Sequence, residues 1–380
     1  MTLKWIGSYA GYSHELVEYF SNEIKEHYDS KSLKLLEPMC GSGNLLVKFE
    51  IEKVPYLAYD INPVQVIQCN AKIANLTKLS LASIRQDIKA FKVKEIQRAL
   101  ACREWFSQDA ISCLLELFNK IDSYSTSCDP DVRHLLTGAF VLTLRRNACI
   151  AASSNPTWLK KGGTIPGTNV KETFIAAYDF INLWHKKNYS QKRMRKYGDV
   201  SCRDINNIKK QNFYDICIVS PPYCNRLDYK RMFAPEYYFV TNFIQNDKEK
   251  AFMGNNEVRG FDDSSYHPTA YEILLLRKIR LKQAPENKDY YFKYYSKYFK
   301  ELDLVLIKIM DSLKPGGVLF INVQNSHYKE VEINLDEVIK SKIEEKHIVS
   351  ELYSKQKTFF GNLLKANKRQ KETLLGIVKK

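Results

Sequence analysis

Ser220-Pro221-Pro222-Tyr223 places a hydroxyl, two rigid turn residues and an aromatic ring directly after the run Asp215-Ile216-Cys217-Ile218-Val219. The run is apolar and carries β-branched residues, as a buried parallel strand does. Neither proline has an N–H to donate, so the ladder cannot continue past Ser220. In open α/β sheets ligands bind just outside the carboxyl ends of the strands. The turn therefore offers a hydroxyl, a fixed carbonyl and a ring where a substrate would lie.

A second strand end has its own pattern. Leu33 to Val47 reads as strand, glycine-rich turn and helix. Gly41 and Gly43 can take positive φ and let a ligand approach the backbone. Val54 to Asp60 reads as the next strand, closed by an acid and followed by Ile61-Asn62-Pro63. An acid there can hydrogen-bond a ribose hydroxyl pair; capping the next helix is its alternative. Turn and acid together favour an adenosyl cofactor. The turn lacks the full Gly-x-Gly-x-x-Gly, which disfavours a dinucleotide.

On these residues the chain resembles the class I S-adenosylmethionine-dependent methyltransferases, and within them the DNA amino-methyltransferases. The family's Pro-x-x-Gly-x-Gly turn matches Pro38 to Gly43, its second-strand acid matches Asp60, and its Ser/Asp/Asn-Pro-Pro-Tyr motif matches Ser220 to Tyr223. Lys4 to Tyr12 loosely fits the motif that precedes the turn. The resemblance implies an α/β fold: a Rossmann-like class I methyltransferase sheet with a large helical insertion. It implies that Glu37, Pro38, Cys40, Gly41, Gly43 and Asp60 hold S-adenosyl-L-methionine. In similar proteins a Gly-Asp ends the third strand near the adenine, and Asp199 is preferred for that place over Asp87. The implied catalytic set is Ser220, Pro221, Pro222 and Tyr223.

The chemistry follows from the substrate. An exocyclic amine is a poor nucleophile, because its lone pair is delocalised into the ring. Acceptors aimed at its hydrogens favour a pyramidal nitrogen as charge develops. Ser220 Oγ and the Pro221 carbonyl suit that task, and Tyr223 suits stacking on a base flipped out of double-stranded DNA. In the resembling family a serine at this place is commoner among N4-cytosine enzymes and an aspartate among N6-adenine enzymes, so cytosine is expected over adenine. Arg226, Lys230 and Arg231 are candidates for the flanking phosphates, with Asp228 orienting Arg226, touching the base or forming a plain surface ion pair. The expected setting is restriction-modification or host/phage DNA protection, with a cognate restriction endonuclease as a candidate partner.

Three stretches must position these residues. Residues 1–95 carry the cofactor motifs, 96–196 form a mainly helical insertion, and 197–380 carry the catalytic part. In the insertion Trp105 to Ile121 has helical apolar spacing, Pro130 can begin a helix, and Leu135 to Ile150 and Asn169 to Lys187 read as further helices. Ala151 to Thr168 reads as a loop. The insertion holds Arg145, Arg146, Lys160, Lys161, Lys192, Arg193, Arg195 and Lys196 among Trp158, Trp184 and Tyr189, with Tyr197 directly after it. Such a mixture suits phosphates and unstacked bases, or a solvated face beside packing aromatics. Beyond the Pro-Pro-Tyr turn, Met253 to Tyr266 reads as a mobile loop able to act as a lid. Asp289 to Leu313 reads as a long helix ended by Lys314-Pro315-Gly316-Gly317. Val318 to Val323 is the next strand, and Ile348 to Tyr353 and Glu372 to Val378 form a closing pair.

The chain has 380 residues, with 58 Lys+Arg against 43 Asp+Glu, a net charge of +15. That balance favours a polyanionic partner through counterion release and steering. Nine cysteines without a CxxC pair or zinc spacing fit reduced thiols and no metal. No apolar run is long enough for a membrane span, and Met1 to Tyr12 lacks a signal-peptide core, so a cytoplasmic location is expected. Three rivals remain at this level: methylation of RNA or a protein amide, a nucleic-acid-binding protein without catalysis, and a nicotinamide-linked oxidoreductase. The last leaves Pro-Pro-Tyr unexplained.

Overall fold

Ser13 starts the first helix as its sequence suggests: its hydroxyl accepts the Leu16 N–H at 3.3 Å, and α1 runs His14–His27. The computed structural model describes residues 4–6, 11–29, 32–75, 81–93, 104–125, 129–151, 160–161, 169–189, 197–224, 228–242, 252–255, 257–258, 260–262, 264–287, 289–345, 350–360 and 371–380. For 81–84, 151, 160–161, 350–360 and 371 the description is of the backbone alone. After α1 come β1 (Leu35–Glu37), α2 (Asn44–Glu52), β2 (Tyr56–Asp60), α3 (Pro63–Ile73) and α4 (Leu81–Ala90). The insertion supplies α5 (Gln108–Ser125), α6 (Pro130–Asn147), a small hairpin of β3 (Ile150–Ala151) and β4 (Lys160–Lys161), and α7 (Val170–Asn188). The chain returns through β5 (Gly198–Cys202), β6 (Tyr214–Val219), α8 (Ala234–Val240), α9 (Ala270–Lys282), α10 (Tyr290–Ser312) and β7 (Leu313–Gln324). A hairpin of β8 (Ser326–Tyr328) and β9 (Val331–Ile333), then α11 (Leu335–Glu345), β10 (Ser350–Phe360) and β11 (Lys371–Lys379) complete it.

Seven strands form one sheet in the order β10-β11-β7-β6-β1-β2-β5. The strands from β7 to β5 pair in parallel, and β11 alone runs antiparallel to both its neighbours. The fold is thus α/β with a mostly parallel, Rossmann-like sheet, as expected. From β1 the chain winds outward through β2 to β5; from β6 it winds the other way through β7. The reversal lies between β1 and β6, which pair directly through Leu36 and Cys217. Their carboxyl ends, carrying the glycine turn and the Pro-Pro-Tyr turn, are therefore side by side at the switch point, where such sheets bind ligands.

Strand alternation builds a core on each face. Ile216 and Ile218 join α1, α2, Leu35 and Ala58 on one side, and Cys217 and Val219 join α9, α10 and α11 on the other. A third cluster holds the insertion: α5, α6 and α7 share it with Val64 of α3 and with Tyr237 and Phe239 of α8. Gly138 of α6 makes the close approach possible, since a Cβ there would lie 2.4 Å from the Ala71 side chain. His185 of α7 bonds the Ala71 carbonyl at 2.7 Å. Among the described residues no helix is long and apolar enough to cross a membrane.

Asp129 and Asn169 cap α6 and α7. Asn62, not Asp60, caps α3. Of the predicted loop at 151–168, residues 160–161 pair with 150–151 as a short hairpin. Trp158, Lys192, Arg193, Arg195 and Lys196 lie outside the described residues, as do residues 7–10 of the expected upstream motif.

Candidate active site at the sheet switch point

Gly41 and Gly43 shape the turn after β1. Both have positive φ, +53° and +74°, where a side chain would be strained. Space beside Gly41 is open, with nothing within 4 Å of a notional Cβ, whereas at Gly43 that atom would meet Cys69 Sγ at 2.2 Å. One glycine thus leaves room on the ligand side and the other lets α2 start against α3. Asp60 fastens the turn: its Oδ2 accepts the Gly41 N–H and its Oδ1 the Asn62 N–H, each at 2.8 Å. Burial pushes Asp60 up to about 6, although both backbone bonds pull it back toward the carboxylate.

Glu37, the last residue of β1, is wholly buried. Neither of its carboxylate oxygens receives a hydrogen bond of ordinary geometry. Burial raises it to about 8, with the Tyr12 hydroxyl close enough to lower it part of the way and Asp60 raising it further. Behind the turn, Lys72 donates to Ser42 Oγ at 3.1 Å and Asn44 Oδ1 at 3.0 Å, and burial pushes it down to about 8. Lys72 had no motif in the sequence; its signal is only its place on the buried face of α3.

A cavity of about 260 Å³ opens where these strand ends meet. Pro38, Gly41 and Asp60 border it from the cofactor side, and Ser220 and Pro222 from the Pro-Pro-Tyr side. Tyr229, Phe233 and Phe252 give it an aromatic wall. Ser220, Cys40, Gly41 and Gly43 also line a narrower cleft with Tyr12. Residues of both motifs therefore border one cavity. Ser220 Oγ donates to the main-chain carbonyl of Asn322 at 3.2 Å. Bonded there as a donor, the hydroxyl keeps its lone pairs for other partners; it also lies within reach of the Tyr223 hydroxyl. Pro221 is buried, and the Pro222 carbonyl accepts from Tyr298 of α10 at 2.6 Å.

Tyr223 differs from expectation. It is 3% exposed and absent from the cavity wall, and its hydroxyl donates to Glu372 Oε1 at 2.7 Å. A buried tyrosine hydroxyl needs such a partner, and β11 supplies it. The aromatic residues that line the cavity are Tyr229, Phe233 and Phe252 instead.

Asp199 is also corrected. It is the second residue of β5, exposed, and paired with Leu57 near the strand's start. The carboxyl end of β5 is Cys202, so the acid that reaches the cavity is Asp204, which accepts the Asn206 N–H at 2.8 Å. The resemblance places Gly-Asp at a strand end, and β5, of intermediate to exposed residues, has no apolar run to mark where it begins and ends. Asp87 sits on α4, bonded by Tyr124.

Arg226 lies outside the described residues. Asp228 shapes the chain: its Oδ1 accepts the N–H groups of Lys230 and Arg231 at 3.1 and 3.0 Å, opening a short 3-10 turn, and its Oδ2 lies 3.4 Å from Arg231 Nε. Lys230 lies over the Tyr237 ring at 5.5 Å, while the Arg231 side chain is mostly exposed. In the insertion, Arg145 is engaged by Glu236, at 2.5 and 2.8 Å, and by the Met232 carbonyl. Trp184 packs on Trp5 and Tyr189, and Tyr189 donates to the Lys72 carbonyl, so these aromatics serve the core. The expected lid segment is tied to α10: Gly254 N–H donates to Glu301 at 3.0 Å, and Lys297 reaches Asn255 and the Glu257 carbonyl. Among the described residues no cluster of His, Cys, Asp and Glu is arranged to hold a metal.

No family model matches the chain. It is 29% identical over 163 residues to Type II methyltransferase M.AvaI of Nostoc sp. and, equally, to that of Anabaena variabilis. The match takes in 39% of this chain and 33% of each relative, so the chain spans about a third of the length of the curated relatives it matches. Among solved structures, the rRNA methyltransferase aviRa from Streptomyces viridochromogenes covers 99% of this chain and 90% of its own, at 9% identity and a TM-score of 0.29, too low to equate the two. Partial likeness to a Type II methyltransferase is what the comparisons establish.

Proposed function

We propose that the chain is a methyltransferase that uses S-adenosylmethionine to methylate the exocyclic amine of a base flipped out of double-stranded DNA, with N4 of cytosine favoured over N6 of adenine. The observation that carries the reading is Ser220. Its hydroxyl gives its proton to Asn322 and borders the same cavity as Gly41 and Asp60. The Asn322 bond leaves the serine lone pairs able to accept, as an amine donor would require.

The residues present fit the cofactor. The open space beside Gly41 admits a ligand against the backbone, and the carboxylate of Glu37 is buried without ordinary partners beside the turn. Pro38, Cys40, Gly41 and Gly43 would hold the cofactor along the turn, and Asp60 would take its ribose. Asp204 is better placed than Asp199 for its base. Bound there, the cofactor supplies a methyl group already activated on a sulfonium. The protein's part is orientation and exclusion of water. Ser220 Oγ would accept an amine hydrogen as positive charge develops on nitrogen, while Pro221, buried and not lining the cavity, would serve to fix the turn. Phe233 and Tyr229 would face the base. The net positive charge and Arg231 favour DNA as substrate, and the partial likeness to a Type II methyltransferase supports that choice. A role in restriction-modification is the corresponding setting.

The test is incubation with DNA and methyl-labelled S-adenosylmethionine, followed by nucleoside analysis. Label in N4-methylcytosine is the expected result. Label in N6-methyladenine moves the base, label only in RNA or protein moves the substrate, and no label in any of them overturns the reading.

A further inference from the structure

Both ends of the Ser220–Tyr223 turn are tied to the two strands beyond β6. Ser220 Oγ donates to the main-chain carbonyl of Asn322 on β7 at 3.2 Å. Tyr223 Oη donates to Glu372 Oε1 on β11 at 2.7 Å. The Asn322 side-chain amide donates to the other Glu372 oxygen, Oε2, at 3.1 Å. Glu372 is 3% exposed and Asn322 1%, so none of these bonds is shared with bulk water. Strand register makes the arrangement possible: Asn322 pairs with Leu374, two residues from Glu372, on the same face of the sheet.

We infer that Glu372 is a positioning residue for methyl transfer: its carboxylate fixes Tyr223 and Asn322 together and so holds Ser220 in its acceptor orientation. The inference rests on the function proposed above. A carboxylate suits the place because it is acceptor-only and takes one donor on each oxygen. Removing it leaves the Tyr223 hydroxyl and the Asn322 amide buried without their acceptor. The turn then loses its anchor at Tyr223, and Asn322, whose carbonyl receives the Ser220 proton, loses its own. Glutamine keeps the shape. Its carbonyl can accept from Tyr223, and its amide can donate to a flipped Asn322, whose Oδ1 has no hydrogen bond. Burial raises the Glu372 carboxyl, and the Tyr223 and Asn322 donors pull it back toward the ionised form.

The experiment compares wild type, Glu372→Ala, Glu372→Gln and Tyr223→Phe. Cofactor affinity is read by calorimetry, and methyl transfer to DNA by single-turnover kinetics. The expected result for Glu372→Ala is unchanged cofactor affinity with transfer slowed about a hundredfold, since small misplacements of reacting groups cost that much. Glu372→Gln restores the rate to within about threefold of wild type, because its hydrogen bonds survive. Tyr223→Phe combined with Glu372→Ala is no slower than Glu372→Ala alone, as expected for one shared contact. An unchanged rate in Glu372→Ala overturns the inference and leaves the proposed function standing. So does parallel loss of cofactor binding and rate that Gln does not rescue, which marks a structural role only. A wild type that binds the cofactor but labels no nucleic acid overturns the function, and the positioning role with it.

Discussion

Asp60 accepts the Gly41 N–H at 2.8 Å, so the acid that closes β2 holds the glycine turn that closes β1. In the proposed function the same carboxylate would also take the cofactor ribose. Asp60→Ala removes both, and cofactor affinity is expected to fall about tenfold to a hundredfold, the loss of one or two charge-assisted hydrogen bonds. The pH dependence has a definite sign. Only the ionised carboxylate accepts fully on both oxygens, from Gly41 and Asn62, and burial pushes Asp60 up to about 6. Affinity measured by calorimetry is therefore level above about pH 7 and declines as pH falls through 6. Asp60→Asn is expected to abolish that decline. Equal affinity in wild type and Asp60→Ala at pH 7.5 would remove Asp60 from the cofactor site.

Ser220→Ala should leave cofactor and DNA binding in place and slow methyl transfer about a hundredfold to a thousandfold, the range for removing one group that stabilises developing charge. Single-turnover assays with labelled cofactor read this directly. A variant as fast as wild type is incompatible with the acceptor role of the hydroxyl.

Glu37 gives a stability prediction. Its folded-state value, about 8, stands above its ordinary 4.5. The native state therefore holds a proton that the unfolded chain has released between those values. Its stabilising contribution is fully present below about pH 4.5 and is lost as pH rises through 8, a loss of a few kcal/mol at most. Glu37→Gln cannot ionise, so it should melt higher than wild type at pH 8.5 and close to it at pH 5. The measurement is thermal denaturation across that range. A wild-type minus variant difference that does not change with pH contradicts the burial argument.

The parts of this architecture that were legible in the sequence are those fixed by local chemistry. Ser13 caps α1 and Pro130 begins α6 for reasons local to those residues. Pro221 and Pro222 end β6, and Gly41 and Gly43 turn after β1, for reasons internal to those residues. What was not legible depends on partners distant in the chain. Tyr223 reads as a stacking ring until Glu372, 149 residues away, claims its hydroxyl. Arg145 reads as a cation for phosphate until Glu236, 91 residues away, pairs with it. Asp199 misleads for another reason: β5 carries little apolar signal, so its polarity of start and end was not marked.

The Arg145–Glu236 pair supplies the last prediction, because it joins the insertion to the wall of the cavity. Glu236 is fully buried on α8, Arg145 also bonds the Met232 carbonyl, and its guanidinium lies 5.9 Å from the Phe233 ring centre. Burial raises the Glu236 carboxyl, and Arg145 holds it back down. Arg145→Met strands that carboxylate in the interior and should cost about 3–5 kcal/mol. Protonation relieves an unpaired acid, so the penalty should shrink as pH falls. Adding Glu236→Gln should recover most of the loss at neutral pH, since two neutral groups of similar size no longer bury a charge. Urea denaturation of the two single variants and the double variant measures the coupling. If the pair also sets the Phe233 wall, the stable double variant should still bind cofactor normally yet transfer methyl more slowly to DNA. Strict additivity of the two substitutions would mean that α6 and α8 are held together by the shared apolar cluster and that the ion pair contributes nothing of its own.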